Sequence, residues 1–105
     1  MIELPKIILA SASPRRAEIL RTAGWPFDPL AVHIDESRRQ GEDAVTYVKR
    51  LALEKAETAA ARTVGLNVVG ADTTVVIDDQ ILEKPVDLDD AERMLRLLSG
   101  RWHKV

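Results

Sequence analysis

The 105 residues carry fifteen Lys and Arg against seventeen Asp and Glu, a formal charge of −2, with 46% hydrophobic and 30% charged residues. That is the balance of an ordinary globular domain with one modest core, without the basic excess of a nucleic-acid or anionic-membrane binder. Having no cysteine, the chain can form no disulfide, thiolate metal site or cysteine nucleophile.

The first residues include Glu3 and Pro5, and the apolar run from Ile7 to Ala10 is far shorter than a signal-peptide core or the ~20 apolar residues of a membrane span. A cytoplasmic protein with no membrane or nucleic-acid partner is therefore expected. The same run, rich in β-branched residues, predicts a buried strand. Ser13 and Pro14 then predict a helix start, a hydroxyl cap followed by proline at the first helical position. Ala17, Leu20 and Ile19 supply the helix's apolar face, and Gly24 its stop. Residues 25–30 hold two prolines and read as irregular, whereas the weak alternation over 30–34 predicts a second strand. After a polar stretch, Asp43 predicts the cap of a long helix over 44–62, with apolar residues recurring at three and four and an end near Gly65. Asn67 to Asp72 predicts a strand that breaks at Gly70. Residues 73–77 continue extended, and Asp78-Asp79 predicts a hairpin turn into Gln80-Ile81-Leu82-Glu83. Asp87 predicts the cap of a last helix with Leu88, Ala91, Met94, Leu95 and Leu98 buried, and residues 101–105 read as a further strand. No repeat, linker or low-complexity tract interrupts the chain, so residues 1–105 are expected to form a single α/β domain, a mixed twisted sheet flanked by helices.

Two places can carry chemistry. Ser11, Ser13, Arg15 and Arg16 gather hydroxyls and guanidinium groups at a helix N-terminus, where amides and the macrodipole favour an anion. The same residues also suit a capped surface helix with solvated arginines. Asp72, after Gly70 at the mouth of an apolar strand, is placed as a general base or metal ligand, or as a turn-forming aspartate. Asp35-Glu36 can send only one carboxylate to a site if extended. Lys84 is held extended by Pro85, and Lys55 lies beside the apolar stripe of the long helix, where lysines commonly snorkel. His33 and His103 lack metal-ligand spacing and read as structural or surface residues. There is no Walker loop, GxGxxG or serine-hydrolase elbow.

Taken in order, the blocks Leu9-Ala10-Ser11-Ala12-Ser13-Pro14-Arg15-Arg16, Asp35-Glu36, Tyr47-Val48-Lys49-Arg50-Leu51-Ala52 with Lys55-Ala56, and Val69-Gly70-Ala71-Asp72-Thr73 resemble the Maf family of nucleotide pyrophosphatases. The resemblance continues through Ile81-Leu82-Glu83-Lys84-Pro85 to Leu98-Ser99-Gly100-Arg101 and His103. It implies a fold like the first lobe of the inosine-triphosphate pyrophosphatases. It also implies hydrolysis of a nucleoside triphosphate, or a modified nucleotide, to monophosphate and pyrophosphate with a divalent cation, Mg2+ or Mn2+. In that resemblance Asp72 is the proton acceptor and joins Glu36 at the metal. Ser11, Ser13, Arg15, Arg16, Lys55 and Lys84 serve the substrate, and Arg15 with Thr73 is similar to the branch acting on dTTP and UTP. Family members continue beyond a segment such as 99–105. A truncated domain lacking the family's C-terminal half is therefore expected, paired as a homodimer or with a partner supplying that half. The other implied role is non-catalytic, in regulating septum formation in cell division through protein contacts.

Overall fold

Ile7, Ile8, Leu9 and Ala10 are all buried, none more than 6% exposed, the pattern of a strand covered on both faces of a parallel sheet. In the computed structural model, which describes residues 3–105, this strand, β1 (Ile7–Ala10), is the middle of a three-stranded parallel sheet ordered β2-β1-β3. The other two strands are β2 (Phe27–Pro29) and β3 (Asn67–Gly70). Helix α1 (Pro14–Thr22) joins β1 to β2, and α2 (Ala44–Ala60) precedes β3. Ser13 caps α1, its hydroxyl accepting from the Arg16 amide at 3.3 Å. Asp43 caps α2, accepting from the Thr46 amide at 2.8 Å. Both caps stand where the sequence puts them. Within α1, Ala17 is buried while Ile19 is 60% exposed.

The second strand does not fall on residues 30–34. It lies instead in the proline-bearing segment, with Ile7 opposite Phe27 and Leu9 opposite Pro29. This is an edge strand, where a residue without an N–H is tolerated, and Pro26 needs only its carbonyl, which accepts from the Ile7 amide at 3.2 Å. The register exhausts β1: the Leu30 amide donates to the Leu9 carbonyl at 2.8 Å, and later residues have no β1 partner. Leu30 and Val32 pack instead against the cluster of Ile8, Ala10 and Ala59.

Helix α2 lies directly on β3. A Cβ at Gly70 would sit 2.3 Å from the Ala52 carbonyl oxygen and 2.8 Å from the Ala56 nitrogen, so the approach exists only because residue 70 is glycine.

Beyond it, β4 (Val75–Ile77) and β5 (Gln80–Leu82) form an antiparallel hairpin. Asp78 and Asp79, at φ 51° and 59°, make the turn, the left-handed pair that two-residue hairpins require. The strands thus form a parallel sheet and a separate hairpin instead of one mixed sheet. Of 101–105, only Lys104 pairs, by mutual backbone bonds of 2.8 and 2.9 Å with Val76.

Helix α3 (Leu88–Leu98) forms as expected, capped by Asp87, but its apolar stripe is only partly buried, with Ala91, Met94 and Leu98 half-buried. Leu88 is 88% and Leu95 68% exposed. The helix is held by local interactions: the cap, acids in its first turn, and the Glu92–Arg96 and Asp90–Arg93 pairs at 2.7 and 2.9 Å. Among the described residues no helix is long and apolar enough to cross a membrane.

Candidate active site

The C-terminal ends of β1 and β3 are neighbours in register, Ala10 beside Gly70. The loops leaving them therefore meet, and a cleft of about 460 Å³ opens between them. Its wall from the first loop is Ser11, Ser13 and Arg16, and from the second Asp72 and Thr73; Glu36, Lys55 and Lys84 complete it. Seven of the eight phosphate-loop, base and metal candidates thus converge with Thr73 on one cavity. The eighth, Arg15, lies on another side of α1, against Glu18, Ile19, Thr22 and Ala23.

Ser11 is 8% exposed, and its hydroxyl oxygen accepts from the Ser13 amide at 3.1 Å and from Arg16 Nη1 at 3.2 Å. The Arg16 guanidinium also donates from Nη1 to the Ala71 carbonyl at 3.1 Å and from Nη2 to Thr73 Oγ1 at 2.9 Å. It is therefore a staple from the loop after β1 to the loop that carries Asp72, held through the Ala71 carbonyl on one side of that carboxylate and the Thr73 hydroxyl on the other. This differs from a free cation ringing the helix end.

Lys55 is the centre of the charged half. Its Nζ lies 2.9 Å from Asp72 Oδ1 and 3.0 Å from Glu36 Oε1, with its side chain 14% exposed and that of Asp72 10%. Burial works to lower its pKa, but the hydrogen bonds to Asp72 and Glu36 outweigh it and hold the ammonium above its ordinary value. The Lys55 hydrogen bond, partly opposed by burial and reinforced by Lys84, holds Glu36 below the usual carboxylate range. Lys84, 90% exposed, reaches Glu36 Oε2 at 3.4 Å. Sequence periodicity placed Lys55 beside the apolar stripe, and there it is a buried counter-ion, not a snorkelling residue.

Two carboxylates that meet on one ammonium converge on a point where a cation is stable. This donor set fits a hard divalent ion, which commonly takes one or two protein carboxylates and completes its shell with water and substrate phosphate. Among the described residues there is no group of three or more Asp, Glu or His side chains that could hold an ion unaided. Glu36 and Asp72 are accordingly the pair available to it.

Three residues at or around the site carried no functional reading from sequence. His33 lines the cleft. Tyr47, 5% exposed, donates from its hydroxyl to the Glu36 carbonyl at 2.5 Å. Arg50 donates to the Ser37 carbonyl at 2.9 Å and is gripped by Glu42 at 2.6 Å. The one available signal was a tyrosine on the buried stripe of α2, since a buried hydroxyl needs a partner.

A family model described as Maf-like protein matches residues 6–105. The chain is 50% identical over 99 residues to a dTTP/UTP pyrophosphatase of Koribacter versatilis, covering 94% of this chain and 51% of that one. It is 52% identical over 104 residues to proteins of the same name from Hahella chejuensis and Geobacter sulfurreducens. Those matches cover 95% and 99% of this chain, and 51% and 54% of the relatives. The chain spans about half the length of the relatives it matches. With the match running from residue 6 to residue 105, this chain belongs to the Maf family.

Proposed function

We propose that this cleft hydrolyses a nucleoside triphosphate, dTTP or UTP, to the monophosphate and pyrophosphate. The observation that carries the reading is the convergence of Asp72, Glu36 and Lys55, with Lys84 alongside, beside a serine- and arginine-bearing helix start. Asp72 accepts a proton from water as the water oxygen bonds to the α-phosphorus; the bond from that phosphorus to the bridging oxygen breaks, and pyrophosphate leaves with the electron pair. Lys55 and Lys84, with the α1 N-terminus and Ser11 and Ser13, offset the charge that gathers on the leaving group. Arg16 keeps the loop after β1 and the loop that carries Asp72 in register. Glu36 and Asp72 would hold Mg2+ or Mn2+, which supplies further charge neutralisation on the phosphates. The names of the relatives and Thr73 in the cleft support dTTP and UTP as substrates.

In the same reading residues 1–105 are one Maf-like domain equivalent to the first lobe of an inosine-triphosphate-pyrophosphatase-like fold, acting in the cytoplasm. A second copy, or another protein, covers the apolar residues left exposed on α3. A purely contact-based role in septum formation is the weaker reading, because protein contacts give no physical reason for two carboxylates to converge on a buried lysine. The test is pyrophosphate release from dTTP and UTP with Mg2+, comparing the chain with Asp72→Asn. A loss of about 10²–10⁴-fold is expected for a general base, and equal rates in both proteins would refute the assignment.

A further inference from the structure

Glu36 lies in a segment without regular secondary structure between β2 and α2, yet its carboxylate has to meet Lys55 to within hydrogen-bonding distance. Side-chain pairing alone does not hold a loop in one place, because an irregular backbone retains conformational freedom that must be removed. Here α2 removes it. The Tyr47 hydroxyl donates to the carbonyl of Glu36 itself at 2.5 Å, and one turn later Arg50 Nη2 donates to the carbonyl of Ser37 at 2.9 Å. Consecutive peptide carbonyls are thus fixed by consecutive turns of one helix.

Neither donor is adjustable. The Tyr47 ring is 5% exposed. Arg50, its side chain 12% exposed, is clamped by both oxygens of Glu42, Nε to Oε2 at 2.6 Å and Nη2 to Oε1 at 2.9 Å, with Glu54 on its third nitrogen at 3.3 Å. Tyr47 also reaches Glu83 Oε1 at 3.4 Å, so its single proton lies between the segment bearing Glu36 and the residue preceding Lys84.

We infer that Tyr47 and Arg50 are positioning residues that hold the backbone of residues 36–37 so that the Glu36 carboxylate faces Lys55 and the ion. The inference rests on the reading of Glu36 as a metal ligand, and the experiment separates the two. Mn2+ is titrated calorimetrically into the full chain and into Tyr47→Phe, Arg50→Lys, Glu36→Gln and the Tyr47→Phe/Glu36→Gln double variant. Tyr47→Phe keeps the buried ring and removes only the hydroxyl. Groups that orient metal ligands typically contribute 10–100-fold in affinity, so about 10-fold weaker Mn2+ binding is expected for Tyr47→Phe and for Arg50→Lys. In the Glu36→Gln background the Tyr47 substitution should have no further effect, because the carboxylate it orients is gone. Equal losses in both backgrounds would overturn the positioning role while leaving Glu36 at the metal. Unchanged affinity in Glu36→Gln would remove Glu36 from the site and the inference with it. Amide hydrogen exchange reads the same claim without metal. In Tyr47→Phe, exchange over residues 35–38 should rise at least about tenfold while β1 and α2 keep their protection. Unchanged exchange over those residues, or a uniform rise across the core, overturns it.

Discussion

Gly70→Ala is the substitution whose outcome the packing of α2 on β3 determines most sharply. Two effects oppose each other. Replacing glycine restricts the unfolded chain, which ordinarily stabilises by about 0.4–1 kcal/mol where the native backbone accepts alanine. Against this, the new methyl would lie 2.3 Å from the Ala52 oxygen, 2.8 Å from the Ala56 nitrogen and 2.9 Å from the Ala56 Cβ. None of these atoms can rotate aside: two are helix backbone and the third is a Cβ. The helix and strand must separate instead, loosening Ala59 from Ile8 and Val68. Overpacking of this kind costs about 1–3 kcal/mol and sometimes more, and with no flexible side chain to give way the upper end applies. A net loss of about 2 kcal/mol or more follows, lowering Tm by roughly 8–16 °C in a domain of this size. Thermal unfolding followed by circular dichroism at pH 7 measures it. A variant melting within a few degrees of the parent would refute the claim that β3 and α2 are in backbone contact, and with it the rigid seating of the loop that carries Asp72.

The remaining predictions concern charge. Lys55→Met removes the ammonium that competes for the point between Glu36 and Asp72, so Mn2+ affinity of the nucleotide-free chain should rise by at least about tenfold, since even at the dielectric of water a unit charge about 4 Å away repels a divalent ion by about 2 kcal/mol; calorimetric titration reads this, and weaker binding would contradict it. The hydrogen bonds and charge of Arg50 hold the Glu42 carboxyl down to about 2. A depressed carboxylate pKa stabilises above its unfolded value, near 4.3, and that contribution is lost as pH falls through the folded value. Between about pH 4.3 and 2, Tm should therefore fall less steeply in Glu42→Gln than in the parent. Parallel curves would show that the Glu42–Arg50 pair contributes no pH-dependent stability.

Much of this architecture is legible in local sequence because its causes are local. The caps at Ser13, Asp43 and Asp87, the four-residue apolar run of β1 and the Asp78-Asp79 turn each depend on residues within a few positions of one another. What escaped depends on distance along the chain. The β2 register is chosen by β1, some twenty residues earlier, and a proline on an edge strand costs little, so the local prohibition misled. The stripe of α3 has the right period, but period states which side would be buried and not whether a neighbour is present to bury it. At the site, residue types were readable while partnerships were not. Arg16 reads as a phosphate cation until Thr73 and Ala71 arrive beside it through the β1–β3 pairing, and nothing local to Arg50 in the sequence shows that Glu42 folds back upon it.

The strand order has a consequence for where chemistry can occur at all. From the middle strand the chain first goes to one side, to β2, and only later returns to the other side as β3. In open α/β sheets, neighbouring strands whose connections depart in opposite directions leave a crevice outside their carboxyl ends. Ser11 and Asp72 stand just past the ends of two such strands. The crevice is thus a product of connectivity, present before any polar side chain furnishes it. Exchanging the carboxylates and lysines at its rim, with the Arg16 staple kept, should change what the crevice accommodates while leaving the opening where it is, so these strand ends offer a fixed address at which new chemistry can be installed by changing a few loop residues.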